Sequence, residues 1–321
     1  MRLVTLLAEE YNPGGRLDEI VEAELVPEGW TIARTSGSDA DVISGADVLL
    51  VMMRPVLASA IEGSQSLRLI QAASRGYDAI DVNAAARKGI PVCNVLAPGH
   101  ASTVAEHTFA LLLALAKRIN EGHADVASGG WGGGELVSAG LMEVSGKLLG
   151  IVGLGEIGKQ VASRADAFGM RLVYSDVRAA PELEARYRMP RVALDDLLAT
   201  ADVVSLHVPL DDGTTALIGE RELSLMKRGA ILLNTSRGPI IDLDALAAAL
   251  LDDRLRAGLD VFDPEPPPVG HPILSAPNLV CSPHVAGATT EAVDRVVAAA
   301  IANIRRLASG QPLEHVVNGA P

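Results

Sequence analysis

Aromatic side chains are scarce: three Phe, four Tyr and two Trp make up 3% of the 321 residues. Any core must therefore be built from Leu, Val, Ile and Ala, the residues that parallel strands covered on both faces prefer. Cysteine is nearly absent too. Cys93 and Cys281 each lie beside an apolar run and have no metal-ligand spacing. A disulfide scaffold and a cysteine metal centre are thereby excluded; both thiols are expected to be buried, and no metal site is expected.

Positive charge is also in short supply, with 27 Lys and Arg against 40 Asp and Glu and a net charge of −13. That balance argues against nucleic acid as a partner. It does not exclude an anionic substrate, for which a site needs only local positive groups. Long apolar runs are missing as well. The longest in a helical pattern, Phe109 to Ala116, is far short of the ~20 residues of a membrane span. Glu9 and Glu10 interrupt the first apolar run, which argues against a signal peptide. A soluble, cytoplasmic protein with no membrane partner is expected.

What is present is ample core material, 49% hydrophobic against 21% charged, so disorder is not expected. The length suits two domains of about 100–200 residues each. Leu3–Ala8, Asp47–Met53, Leu67–Ala73 and Ile90–Val95 read as strands, with helices at Leu17–Leu25 and Val82–Arg87. This run has no phosphate-binding glycine pattern, so it predicts a smaller α/β domain without a dinucleotide. A Pro98-Gly99 break follows as a candidate hinge. Thr103-Val104-Ala105-Glu106 fits a capping box that opens an apolar helix to about Ile119. Gly129–Gly134 reads as a connecting loop.

Leu148–Val152 then turns into Gly153-Leu154-Gly155-Glu156-Ile157-Gly158 and a helical pattern. Strand, tight turn and helix form the context in which this glycine spacing signifies a dinucleotide. Gly153 makes the turn, Gly155 admits a pyrophosphate, and Gly158 lets the helix press on the strand. The helix start at Glu156 and Ile157 offers N–H groups and partial positive charge. A second strand, Met170–Ser175, ends at Asp176, placed to accept the adenosine ribose hydroxyls. An acid there favours NAD over NADP, although Arg178 lies two residues on. Further strands at Ala201–His207, Gly229–Asn234, Gly258–Phe262 and Asn278–Ser282 extend one parallel sheet. Thr290–Ala308 reads as a closing helix that returns to the first domain.

Ligands of open α/β sheets bind beyond the carboxyl ends of the strands. Arg237, Glu265 and His284 stand at three such exits. Arg offers a forked donor to a carboxylate or oxo group. His transfers a proton near neutral pH, and a nearby Glu favours its charged form. Those are the groups needed to reduce a 2-oxo acid with NADH.

Asn234-Thr235-Ser236-Arg237-Gly238, Asp260-Val261-Phe262-Asp263-Pro264-Glu265-Pro266 and Ser282-Pro283-His284-Val285-Ala286-Gly287 resemble signatures of the D-2-hydroxyacid dehydrogenase family. Ser74-Arg75-Gly76-Tyr77-Asp78-Ala79-Ile80-Asp81, Val104-Ala105-Glu106-His107 and His207-Val208-Pro209-Leu210 do too, so the resemblance spans essentially the whole chain. It implies NAD-dependent interconversion of 2-oxo and D-2-hydroxy acids in a cleft between two domains, usually in a homodimer. The implied architecture is a Rossmann-type doubly wound parallel sheet, residues 98–286, inserted into a smaller flavodoxin-like α/β substrate domain, residues 1–97 and 287–321. By the resemblance Arg237 binds the substrate carboxylate and carbonyl, His284 is the acid/base and Glu265 supports it. Asp260 lies near the nicotinamide; Val208, Thr235, His284 and Gly287 border the cofactor.

The backbone from Ser74 to Gly76 holds the substrate carboxylate by the same resemblance. Two departures sit on the substrate side: Arg75 lies where many relatives have an uncharged residue between two glycines, and His100 where many have Asn. With the sequence ending soon after Val317, the regulatory C-terminal domain of some phosphoglycerate dehydrogenases is not expected. Two alternatives stay open. A formate dehydrogenase-like enzyme typically pairs its His with Gln, which Glu265 opposes. An NAD-sensing corepressor-like protein would bind NAD without turnover.

Overall fold

The computed structural model describes residues 1–35, 43–96 and 99–320. The chain forms two compact units, Met1–His100 with Ala288–Pro321, and Ala101–Gly287. The expected Pro98 break and the expected boundary between residues 97 and 98 lie outside the described residues.

The first unit contains β1 (Arg2–Leu7), β2 (Thr31–Arg34), β3 (Val48–Met52), β4 (Leu69–Ala72) and β5 (Val92–Cys93). All pair in parallel in the order β2-β1-β3-β4-β5, the flavodoxin-like arrangement. β3 and β4 are buried at every position, because helices cover both faces and no alternation is needed. On one face Leu3, Leu50 and Leu69 pack with Val21 and Leu25 of the helix Arg16–Leu25. Val297, Ala300, Ile301 and Ile304 of the helix Thr290–Ala308 complete that face. On the other, Val4, Leu49 and Ile70 pack with Ile61, Ala84 and Ala85.

The second unit contains β6 (Leu148–Val152), β7 (Arg171–Ser175), β8 (Val203–Leu206), β9 (Ile231–Asn234), β10 (Arg256–Leu259) and β11 (Leu279–Cys281). These are parallel too, ordered β11-β10-β9-β8-β6-β7. Beyond β7, Tyr174 forms a single parallel bridge with Arg191. With that bridge standing in for a third strand, the order is that of a dinucleotide-binding sheet with β11 added at the edge. The order reverses between β6 and β8, which is the topological switch point.

Several details differ from the sequence reading. The long helix starts at His100, not at a Thr103 cap, and ends at Lys117 because Arg118 adopts a left-handed φ of 48°. Thr103 is buried inside it, and Glu106 accepts from Ser102 Oγ and from Arg164 Nη2 of the fingerprint helix. Gly133 and Gly134 open a short helix, Gly133–Ser138, where a plain loop was expected. β2 escaped the reading because it is a four-residue edge strand with no buried position. Cys93 is buried, but Cys281 is exposed; it ends the edge strand β11, which pairs with β10 alone among the described residues.

Candidate active site

The turn after β6 is built for close approach. Gly153 has a φ of 90°, and a Cβ on it would lie 2.7 Å from His207 O and 2.9 Å from Val208 Cγ1. A side chain there would push the β8 exit loop, and Val208 with it, off the turn. A Cβ on Gly158 would lie 2.3 Å from Gly153 O, so only glycine lets the helix Glu156–Ala167 sit this close to its strand. Above Gly155, by contrast, a Cβ would meet no protein atom within 4 Å. Open space thus stands over the N-terminus of a 12-residue helix, where first-turn N–H groups at Glu156 and Ile157 have no intrahelical acceptor.

Asp176 follows β7 and is tied to this turn. Its Oδ2 accepts from Leu154 N at 2.7 Å and its Oδ1 from Arg178 N at 2.8 Å. The Arg178 residue itself is exposed. Sequence reading missed Arg191, whose Nε and Nη2 donate to the carbonyls of Asp176 and Val177 at 2.8 and 3.1 Å. Only the three-dimensional bridge to Tyr174 brings it there. Burial pushes the His207 imidazole down to about 3, so it stays neutral; its Nε2 lies 2.8 Å from Ser205 Oγ. An open glycine cradle, a helix N-terminus and a tethered carboxylate fit the pyrophosphate and ribose of a dinucleotide.

The exits of β9, β10 and β11 bring Arg237, Glu265 and His284 together. Asn234 Oδ1 accepts from the N–H and hydroxyl of Ser236 at 3.0 and 2.7 Å, and Asn234 Nδ2 donates to Arg237 O at 2.8 Å. That turn presents Arg237, whose Nη1 donates to Ser236 O at 2.7 Å. Next to it Gly238 meets the Phe262 backbone without room for a Cβ, which seats the Arg237 turn against the Glu265 loop.

Glu265 Oε2 lies 2.8 Å from His284 Nδ1, and Oε1 accepts from Phe262 N at 3.0 Å. Burial alone would raise the Glu265 carboxyl. The His284 hydrogen bond and charge, the Phe262 N–H and the nearby Arg237 charge outweigh it and hold the group below the usual carboxylate range. His284 itself has a left-handed φ of 54°, a conformation that persists only where its surroundings fix it. Here its N–H donates to Asp260 O and Ser282 O at 2.7 and 3.1 Å.

Asp260 is only 1% exposed. Its Oδ1 accepts from Ser282 Oγ at 2.6 Å and Val285 N at 2.9 Å, and its Oδ2 from Ala286 N at 2.9 Å. The carboxylate therefore holds the loop that carries His284. Ser282 gives its single proton to Asp260, so the 2.7 Å contact from His107 Nε2 must be a donation by His107. Thr235 is buried; Thr108 Oγ1 gives its proton to Val104 O at 2.9 Å, so in its 3.0 Å contact with Thr235 Oγ1 it accepts, and the Thr235 hydroxyl has no spare proton. Gly287 sits in the turn that closes the unit.

The other residues singled out in the sequence belong to the first unit. Ser74, Arg75 and Gly76 follow β4, with Arg75 exposed and its carbonyl accepting from Asn94 Nδ2 at 2.8 Å. His100 is the first residue of the long helix and the last of this unit's first segment.

Residues 109–286 match the family model described as D-isomer specific 2-hydroxyacid dehydrogenase, NAD binding domain. A glyoxylate reductase of Korarchaeum cryptofilum is 40% identical over 281 residues, covering 86% of this chain and 84% of that one. A hydroxypyruvate reductase of Blautia hydrogenotrophica is 34% identical over 99% of this chain and 100% of that one. Among solved structures, a D-lactate dehydrogenase of Aquifex aeolicus complexed with NAD and lactic acid has a TM-score of 0.84 at 28% identity. It covers 97% of this chain and 96% of that chain.

Proposed function

Since the chain belongs to the D-isomer specific 2-hydroxyacid dehydrogenase family, NAD-dependent enzymes that interconvert 2-oxo and D-2-hydroxy acids, we propose His284, Glu265 and Arg237 as its catalytic set. The observation that carries this is the 2.8 Å contact of His284 Nδ1 with Glu265 Oε2 beside Arg237. Bound NADH supplies the hydride. With Nδ1 engaged by Glu265, His284 delivers the proton from Nε2 to the substrate oxygen. Arg237 grips the carboxylate and polarises the carbonyl through its forked donors. Unit Ala101–Gly287 is the cofactor domain; the other is the substrate domain, with the Ser74–Gly76 backbone as carboxylate cradle and Arg75 and His100 as selectors of the substrate's remaining group. Gly153, Gly155, Glu156, Ile157, Gly158, Asp176, Val208, Thr235, Asp260 and Gly287 form the cofactor side.

Similarity to a glyoxylate and a hydroxypyruvate reductase supports a small 2-oxo acid as substrate. A panel of glyoxylate, hydroxypyruvate, pyruvate and phenylpyruvate with NADH tests the reading. Turnover of none of them, or of formate with NAD instead, would overturn it. NADH should be preferred to NADPH by at least about tenfold, or about 1.4 kcal/mol, because Asp176 repels a 2′-phosphate. Asp176→Ala should narrow that gap; equal use of both cofactors by the parent would remove Asp176 from the selection.

A cytoplasmic homodimer belongs to the same proposal. The helices Ile119–Ala127 and Gly133–Ser138 contain no buried residue. Ile119, Val126, Trp131 and Val137 are 57, 54, 89 and 65% exposed within this one segment. Clustered apolar exposure of this kind supports a covering partner, and a second copy is the partner the family resemblance implies. Sedimentation velocity should give twice the 33.4 kDa chain mass, and Trp131→Asp should shift it toward monomer. A monomeric parent would sink the dimer.

A further inference from the structure

The loop that leaves β4 has three consecutive carbonyls, each held by a fixed donor. Val95 N donates to Ser74 O at 3.0 Å, Asn94 Nδ2 to Arg75 O at 2.8 Å, and the Ser74 hydroxyl to Gly76 O at 2.6 Å. These peptides are trans. In a planar trans peptide the C=O and the next N–H point in opposite directions. Every tethered carbonyl therefore turns the following N–H away from its donor. The N–H groups of Arg75, Gly76 and Tyr77 are aimed in this way, and among the described residues none of the three has a protein acceptor.

Asn94 is itself braced. It is 8% exposed, its N–H donates to His315 O at 3.2 Å, and its carbonyl receives Gln71 Nε2 at 3.5 Å. Gln71, fully buried, also donates to Ala72 O and Cys93 O at 3.0 and 3.3 Å. Its Oε1 accepts from Asn303 Nδ2 at 2.7 Å, and Asn303 Oδ1 accepts from Glu314 N at 2.9 Å. A buried amide left without partners is costly. The Gln71 and Asn303 amides have partners at both ends, and Asn94 is held through its N–H, its carbonyl and its Nδ2, so the array holds one arrangement.

We infer that Asn94 is a positioning residue for substrate binding. By holding Arg75 O it aims the Gly76 N–H at the carboxylate of the 2-oxo acid, while the Ser74 hydroxyl does the same for the Tyr77 N–H. Gln71 and Asn303 keep Asn94 in place. The inference rests on the proposed role of the Ser74–Gly76 loop as the carboxylate cradle.

Asn94→Ala and the near-isosteric Asn94→Asp test it, read by steady-state kinetics with glyoxylate and by inhibition with oxamate, a carboxylate analogue that cannot be reduced. Both variants should raise the KM for glyoxylate and the inhibition constant of oxamate by about ten- to hundredfold, as expected for a misdirected hydrogen bond to a charged group. NADH affinity and kcat should stay near parental values. A space-filling role for Asn94 would leave Asn94→Asp with the parental KM, and that result overturns the inference. A uniform loss of kcat and NADH affinity overturns it equally. Should neither variant fold, Ser74→Ala removes the parallel tether and must show the same split between KM and kcat. A parent that reduces no 2-oxo acid would refute the functional reading instead; an active parent with unmoved variants refutes only the role of Asn94.

Discussion

His284→Ala is expected to lower kcat for 2-oxo acid reduction by about 10²–10⁴-fold, the usual loss on removing a positioned general acid. NADH affinity should hardly change, since the glycine turn and Asp176 are untouched. The companion change, Glu265→Gln, reads the electrostatics of the pair. Glu265 is held below the usual carboxylate range, so it carries its charge throughout neutral conditions. That carboxylate lies 2.8 Å from His284 Nδ1, and its charge is lost only as pH falls through the depressed Glu265 titration. The acid limb of the reduction profile should therefore belong to Glu265 and be absent from Glu265→Gln. An acid limb unchanged in Glu265→Gln would show that Glu265 only orients the ring, and a full-rate His284→Ala enzyme would place the proton donor elsewhere.

Gly238→Ala is expected to cost about 10²-fold or more in kcat/KM, although it adds a single methyl group far smaller than the substrate. Its Cβ would stand 1.8 Å from Phe262 O, 2.0 Å from Phe262 C and 2.7 Å from Asp263 N. All three are backbone atoms, so no side chain can swing aside. The Arg237 turn and the Glu265 loop must separate, and about 1 Å of misplacement is enough for a loss of that size. Overpacking of this kind typically removes about 1–3 kcal/mol of stability, so thermal melting run beside the kinetics separates displaced catalytic groups from simple unfolding. Parental kcat/KM in a folded variant would mean that this contact does not set the site.

The contrast between the glycines shows what the sequence made legible. Gly153 and Gly158 were readable because their function is local: a strand, a turn and a helix lie within a dozen residues, and the spacing itself encodes the contact. Gly238 closes on Phe262, from a different strand exit, and no spacing rule announces that meeting. His284 and Glu265 could be placed at strand exits, and the left-handed backbone that presents His284 could not. Asp260 is the clearest limit. Resemblance puts it near the nicotinamide, and no spacing in the sequence signals that its carboxylate also accepts from Ser282, Val285 and Ala286. His107 stands behind Ser282, a long-range link that a helical pattern cannot signal. The parallel core strands were read from unbroken apolar runs; β2, with no buried position, gave no such run.

The way the two units share the chain also sets an order of events on the ribosome. Ala101–Gly287 is continuous and can close its core as soon as it emerges. Residues 1–100 cannot, because the face carrying Leu3, Leu50 and Leu69 is covered by Val297, Ala300, Ile301 and Ile304. At synthesis rates of about 5–20 residues per second, that face waits about ten seconds or longer for its lid while the inner unit is made. During that interval the nascent amino-terminal segment is a natural client for a holding chaperone. A ribosome that stalls before Thr290 would release a sound cofactor unit tethered to an adhesive, half-built neighbour.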